Sequence, residues 1–230
     1  MLVSEQPVSP DFWSRKLWLY PVLGFTLVFA LLFKVWDVDI WLADRIYAWE
    51  GGAWSLRNMP LLADWLHVGG RRVIIAFGLV VLLLWLVSLT IPAWQRYRRV
   101  LLFIFLSMLL TTSLISLLKS VSSVYCPWDY VRYGGYISAA GLLDAGWASG
   151  RCFPSGHASA GYALFALFFA ARRYAFVWRW WALGLALLVG LLFGLTQQFR
   201  GAHFLSHDLW AASLSWIVSF SLARRMLQSE

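Results

Sequence analysis

Three of the four histidines in this sequence stand beside apolar runs, in two short polar segments. His157 belongs to CFPSGHASAG (residues 152–161), and His203 and His207 belong to RGAHFLSHD (residues 200–208). An imidazole can act as a nucleophile and can give or take a proton near neutral pH. Because ionisable groups are costly at membrane depth, their collection at the ends of apolar runs indicates a functional site.

The PSGH tetrapeptide fits the start of a helix that receives an anion. Pro154 has no N–H to leave unpaired in the first turn, Ser155 can cap the helix, and Gly156 lets a ligand approach the backbone. The free N–H groups at such a helix end bind anions. His157 would stand at the rim of that site as a proton donor or acceptor. Taken alone, the tetrapeptide also fits an ordinary helix cap with an incidental histidine.

The spacing of His203 and His207, four residues apart, also suits a metal site on a helix. A third ligand would come from Asp208, His157 or Asp129. A metal-dependent membrane hydrolase is therefore an alternative.

The elements that position these residues are those of a membrane protein. Of the 230 residues, 61% are hydrophobic and 13% are charged, whereas a soluble domain is about half apolar and a quarter charged. Runs of roughly 20 apolar residues cross a bilayer as helices. We predict a single all-α domain over residues 1–230, a six-span transmembrane helical bundle. The spans are predicted at about 17–36, 73–91, 100–118, 157–171, 180–199 and 208–223.

Basic residues mark one side of this bundle. Ten of the 19 lysines and arginines, but only three acids, lie in residues 1–16, 92–99, 172–179 and 224–230. By the positive-inside rule these segments face the cytoplasm. Residues 1–16 are then a cytoplasmic N-terminal segment and 224–230 a cytoplasmic tail. The net charge of +8 reports topology, and nucleic-acid binding is not expected.

Residues 37–72, between the first two spans, form an amphipathic outer segment that is expected to lie in the membrane interface. DIWLADRIYAWE (39–50) predicts a short helix that Gly51 and Gly52 end, and PLLADWLHVG (60–69) can form a second. His67 is expected to be an ordinary interfacial residue. The first span resembles a signal sequence because Arg15 and Lys16 precede it. The apolar run is too long for a typical signal sequence, which favours a span that is retained.

Lys119 ends the third span, PSGH begins the fourth, and RGAHFLSHD joins the fifth to the sixth, all on the outer side. This arrangement resembles the type 2 phosphatidic acid phosphatase superfamily. The motifs of that family are a lysine followed after six residues by Arg-Pro, the PSGH motif, and an arginine, histidine, aspartate motif. The resemblance covers the order of the spans, with the strongest motif identity at PSGH and AHF.

The resemblance implies a role for each matching residue. In the family, the third-motif histidine attacks phosphorus and forms a phosphohistidine, and the PSGH histidine protonates the leaving oxygen and then helps to activate water. His203 is thus implied as the nucleophile and His157 as the acid/base. Lys119, Ser155 and Gly156 are implied as phosphate ligands, with no metal or other cofactor. Phosphoryl transfer mainly needs positioning and neutralisation of oxygen charge.

Three positions depart from the family pattern. Cys126 stands where the first motif has arginine, and Gln197 stands where the third motif has arginine. His207 stands where the third motif has aspartate, with Asp208 one residue further on, so either can orient the nucleophile. We expect the missing positive charge to be relocated to Arg200, Arg132 or Arg151. Arg200 would share a helix face with Gln197. A non-catalytic relative stays open as an alternative.

Cys126 and Cys152 are the only cysteines, and both fall in the second outer loop, about 119–156. The bacterial periplasm is oxidising, and cysteines facing it tend to pair. We expect a disulfide that holds Lys119 in register with PSGH. Two unpaired thiols, or a reactive Cys126, are the alternatives.

These observations predict a bacterial inner-membrane phosphatase that hydrolyses a lipid phosphate or diphosphate at the periplasmic face. Candidate substrates are lipid A phosphates, polyprenyl diphosphate and phosphatidylglycerol phosphate. A phosphotransferase that passes the phosphoryl group to another lipid is one alternative. A non-enzymatic lipid-carrier transporter is another, disfavoured because the mid-span regions carry no Asp, Glu, Lys, Arg or His. The expected partners are the bilayer and the lipid substrate, with no obligatory protein partner.

Overall fold

Seven α-helices carry the part of the chain that the structure, a computed structural model, describes. That part comprises residues 22–24, 26–27, 29, 37–138 and 150–228, and it contains no β-strand. The helices are α1 Val38–Trp49, α2 Gly70–Thr90, α3 Arg98–Val121, α4 Gly156–Tyr162, α5 Phe165–Tyr174, α6 Arg179–Phe199 and α7 Leu205–Met226. A π-helical segment, Leu61–Gly69, runs directly into α2.

Three helical stretches of the described part are long and apolar enough to cross a membrane: Leu61–Thr90, Pro92–Val121 and Phe176–Phe199. They coincide with the second, third and fifth predicted spans. The described part is all-helical, as predicted, and these three stretches indicate a membrane protein. The count of six spans stays a prediction. The first predicted span, about 17–36, falls largely outside the described residues.

The fourth predicted span is two helices, α4 and α5, separated by a turn at Ala163 and Leu164. Almost all of it is buried, and α4 packs against α3, α6 and α7. At the crossing of α4 and α6, a Cβ on Gly161 would lie 2.7 Å from the backbone of Gly190. Small residues let helices approach this closely in a membrane. The segment is short because it fills the bundle interior and need not face lipid along its length.

The sixth predicted span begins earlier than expected, since α7 starts at Leu205. It packs against α3, where the hydroxyls of Ser107 and Ser219 are 2.8 Å apart. An interhelical hydrogen bond of this kind satisfies polar groups that lipid cannot. The start of α7 is what places the RGAHFLSHD segment at the end of the bundle.

The outer segment folds over that end of the bundle. Helix α1 forms as predicted, and Gly51 and Gly52, with φ of 88° and 78°, follow it. The PLLADWLHVG stretch is helical, but as the π-helical start of α2. A small outer core joins α1 to the loops through Ala43, Tyr125, Tyr130, Tyr133 and Phe204. The outer segment therefore covers the end of the bundle that carries the PSGH and RGAHFLSHD segments.

Candidate functional site

The three sequence motifs meet at one end of the bundle. Lys119 lies in the last turn of α3, and a Cβ on Gly156, the first residue of α4, would be 3.9 Å from its Nζ atom. The backbone N–H of Ser155 donates to the carbonyl of His207 at 3.1 Å. Residues far apart in sequence thus form one polar cluster inside an otherwise apolar molecule.

Ser155 caps α4 as the sequence predicts. Its hydroxyl oxygen accepts from the N–H of Ala158 at 3.4 Å, and its side chain lies near the Asp208 carboxylate. Nε2 of Gln198 donates to Oδ2 of Asp208 at 2.6 Å. Asp208 is buried, with 3% of its surface exposed. Its role in the structure is to tie the start of α7 to α6.

His207, rather than Asp208, contacts the predicted nucleophile. The Nδ1 atoms of His203 and His207 are 3.3 Å apart, so one donates and the other accepts. The backbone of Cys152 lies near both rings, and Nε2 of His207 has no hydrogen-bond partner among the described residues. Burial, reinforced by the charge of Lys119, holds the pKa of His203 well below its ordinary value. His203 is therefore a neutral imidazole near pH 7, which is the form that can attack phosphorus.

A disulfide between Cys126 and Cys152 joins the two sides of the second outer loop, with Cα atoms 5.2 Å apart. The N–H of Cys152 donates to the carbonyl of Val124 at 2.8 Å. The carboxylate of Asp129 accepts from the N–H of Cys126 at 3.0 Å. This bonding fixes the Cys152 carbonyl that faces the paired histidines.

A family model of the PAP2 superfamily matches residues 100–229, which include α3 to α7 and all three motif segments. The chain belongs to the PAP2 superfamily. The family resemblance of the sequence is thereby confirmed, and membership indicates a phosphatase-type activity. No curated protein and no solved structure shows significant similarity to the chain.

The candidate arginines of this PAP2 protein have separate surroundings. Nη1 of Arg200 donates to Oε1 of Gln197 at 3.2 Å, and its Nε donates to the carbonyl of Arg57 at 2.8 Å. Arg200 thus stands beside the position where the family has arginine. Arg132 instead forms a two-bond ion pair with Asp44 on the exposed outer segment. Arg151 is exposed.

Gly201 shows why the segment after Arg200 folds as it does in this PAP2 protein. Its φ of +68° is the left-handed region that glycine occupies readily, and a Cβ there would lie 2.4 Å from the ring of Trp54. Its carbonyl accepts from the N–H of Trp128 at 3.0 Å. The turn that presents His203 is therefore held by both the outer segment and the second loop.

Two residues of the site were missed or misread in the sequence. His67 was expected to be an ordinary interfacial residue, but its Nδ1 lies 2.9 Å from Nε2 of Gln197. Its ring is 4.6 Å from that of His157. Asp39, on α1, accepts from the N–H of Ser206 at 2.9 Å and also from the Ser206 hydroxyl. Burial raises the pKa of Asp39 to about 6.

The alternative of a metal ion on His203 and His207 needs a third ligand. Within residues 37–138 and 150–228, no three His, Cys, Asp or Glu side chains are grouped to hold a metal ion. Two of the three candidate third ligands are engaged elsewhere, Asp208 by Gln198 and Asp129 by the backbone of Cys126. The third, His157, has no hydrogen-bond partner for its Nε2 among the described residues.

Proposed function

We propose that this PAP2 protein is an integral membrane lipid phosphatase that acts through a phosphohistidine on His203. The observation that carries the proposal is the polar cluster at one end of the bundle. There, a neutral buried histidine, His203, lies near the Lys119 cation and close to the capped start of α4 that bears His157. Positioning and neutralisation of charge are what phosphoryl transfer mainly requires.

In the first step, Nε2 of His203 attacks phosphorus, because Nδ1 faces His207. A P–N bond forms as the bond between phosphorus and the leaving oxygen breaks. His157, protonated once the anionic phosphate is bound, gives that oxygen its proton, which completes the free lipid alcohol or the lipid monophosphate and leaves His157 neutral. His207 holds the His203 ring in position through the contact of the two Nδ1 atoms, the role of a group that orients a nucleophile.

In the second step, water attacks the phosphohistidine. His157 takes one proton from the water as the P–N bond breaks, which releases inorganic phosphate and regenerates both histidines. Lys119 and Arg200 supply the positive charge that offsets the phosphoryl oxygens in both steps. No metal ion is required by this sequence of bonds.

We further propose six spans, both termini in the cytoplasm, and a site on the periplasmic face of a bacterial inner membrane. The support is the concentration of basic residues in segments 1–16, 92–99, 172–179 and 224–230. All the site residues come from chain segments on the opposite side. The outer leaflet would then supply a lipid whose phosphate group reaches the site from the membrane surface.

The test is phosphate release by the purified protein in detergent, with lipid A phosphates, polyprenyl diphosphate and phosphatidylglycerol phosphate as separate substrates. We expect release from at least one lipid, unchanged by a chelator. Transfer to an added acceptor lipid without free phosphate would show a phosphotransferase instead. Absence of both reactions for every lipid would contradict the proposed function.

A further inference from the structure

The fourth histidine of the chain, His67, has no counterpart among the motif residues, yet it is bonded into the site. It lies on the π-helical segment Leu61–Gly69, near the end that runs into α2. π-Helical turns inside helices occur frequently at functional sites because they displace one residue from the regular helix surface. Here the displaced turn brings His67 against His157 and Gln197.

The hydrogen bonds around Gln197 determine which nitrogen of His67 carries the proton. The amide oxygen of Gln197 accepts from Arg200 at 3.2 Å, which leaves the amide nitrogen to face Nδ1 of His67 at 2.9 Å. An amide nitrogen only donates, so Nδ1 must accept. The neutral ring therefore carries its proton on Nε2. Among the described residues, that N–H has no hydrogen-bond partner.

The surroundings of His67 are those of an anion site. The positive charges of Arg200, Arg71 and Lys119 all act on it. On its other side, the His157 ring is buried and its Nε2 has no partner in the described part of the chain. A phosphoryl group bound between Lys119 and Arg200 would lie in contact with the imidazole rings of both His67 and His157.

We propose that His67 is a phosphate-binding residue of this site, which donates from Nε2–H to a phosphoryl oxygen of the lipid substrate. Gln197 fixes the tautomer that makes this possible and links His67 to Arg200. Together the three residues, His67, Gln197 and Arg200, replace the single arginine that the family has at position 197. This inference rests on the proposed function of the site as a phosphatase.

Two isosteric variants separate a contact with phosphate from a purely structural role. In His67→Gln the side-chain amide reaches the place of Nε2 and can still donate there. In His67→Asn the amide reaches only the place of Nδ1, where it can still pair with Gln197. His67→Ala removes both groups, and Val68→Ala, an exposed neighbour on the same segment, is the matched control.

The first readout is the binding of inorganic phosphate by calorimetry, which needs no turnover. We expect His67→Ala and His67→Asn to weaken binding roughly tenfold or more, the usual effect of losing a hydrogen bond to a charged group. We expect His67→Gln to stay within about threefold of wild type, and Val68→Ala to match it. Recovery by Asn but not by Gln would overturn the proposal, and so would unchanged binding in all variants.

The second readout is KM and kcat on the lipid phosphate that the wild type hydrolyses. A phosphate contact predicts a higher KM in His67→Ala and recovery in His67→Gln. A wild type that releases phosphate from no lipid would sink the proposed function, whereas the calorimetric result would still decide the role of His67.

Discussion

Asp39 is expected to hold the catalytic histidines in place from outside the family motifs. It is buried, 8% exposed, on α1. One carboxylate oxygen accepts from the backbone N–H of Ser206 at 2.9 Å, and the other accepts from the Ser206 hydroxyl. Ser206 lies between His203 and His207 in the first turn of α7. The perturbation is Asp39→Ala, which removes both acceptors.

The magnitude follows from these two bonds. Hydrogen bonds to charged groups contribute about 1.5–3 kcal/mol each, and leaving the Ser206 donors buried without partners adds a desolvation cost. The alanine variant is also relieved of the cost of burying a carboxylate, which offsets part of the loss. We expect a net loss of about 2 kcal/mol in the free energy of unfolding. For a chain of this size that lowers the melting temperature by about 4–8 °C.

The pH dependence gives a second, sharper signature. Burial raises the pKa of Asp39 in the folded protein to about 6, above its ordinary 3.8. Between these values the folded state keeps a proton that the unfolded chain has lost. The contribution of Asp39 to stability is therefore full below about pH 4 and falls as the pH rises through about 6. Asp39→Asn cannot titrate and should lack this trend.

The assay is thermal unfolding in detergent at pH 4.5 to 7.5, together with phosphate release at pH 7. Asp37→Asn is the comparison variant: Asp37 is an exposed carboxylate two residues away whose charge adds to the raised pKa of Asp39, so this variant should keep the pH trend with a smaller amplitude. We expect the melting temperature of wild type to fall relative to that of Asp39→Asn as the pH rises from 4.5 to 7. We expect Asp39→Ala to lower kcat and to leave KM nearly unchanged. A constant difference across this range, or full activity in Asp39→Ala, would refute the reasoning.

Three further predictions concern the motifs and their support. His157→Ala should slow lipid phosphates far more than activated aryl phosphates, because a good leaving group needs no protonation; equal losses in the two kcat values would argue against an acid/base role. Replacing both cysteines by serine should destabilise the protein by about 3 kcal/mol and lower turnover, since the Cys152 carbonyl faces the histidine pair; unchanged turnover would show that this carbonyl is dispensable. Gly194→Ala should impair phosphate release, because its Cβ would lie 2.7 Å from Oδ2 of Asp208, whereas Gly184→Ala has open space and should behave as wild type in the same assay.

Much of the fold follows from local properties of the sequence. The second, third and fifth spans are continuous apolar runs, and length and hydropathy alone locate them. The break between α4 and α5 is different, because Ala163 and Leu164 are unremarkable helix formers. The break is a property of the bundle interior, where the close crossing of α4 on α6 sets the path of the chain.

The site divides in the same way. Lys119, the PSGH segment and His203 could be proposed for the site from the sequence, because each occupies a motif position at the end of a span. His67 and Asp39 could not, because their partners are remote in sequence: Gln197 is 130 residues from His67, and Ser206 is 167 residues from Asp39. An amphipathic pattern places both residues at the interface and says nothing about the elements they contact.

At the positions where this sequence departs from the family motifs, the sequence alone could not tell which residue takes over the missing role. Sequence spacing left His207 and Asp208 as equal candidates to orient His203. The two Nδ1 atoms are in contact and Gln198 donates to Asp208, and for this reason we propose His207 for that role. Of the candidate arginines, Arg200 joins the cluster and Arg132 is paired with Asp44.

The most direct test of the central claim is to trap and locate the phosphoenzyme. Wild-type protein would be mixed with the lipid phosphate it hydrolyses, quenched in base within the first turnovers, digested, and analysed by mass spectrometry. The mechanism predicts one acid-labile, base-stable phosphohistidine, at His203, and neither phosphoenzyme nor turnover in His203→Ala. Turnover that persists in His203→Ala, or a phosphoryl group on another residue, would contradict it.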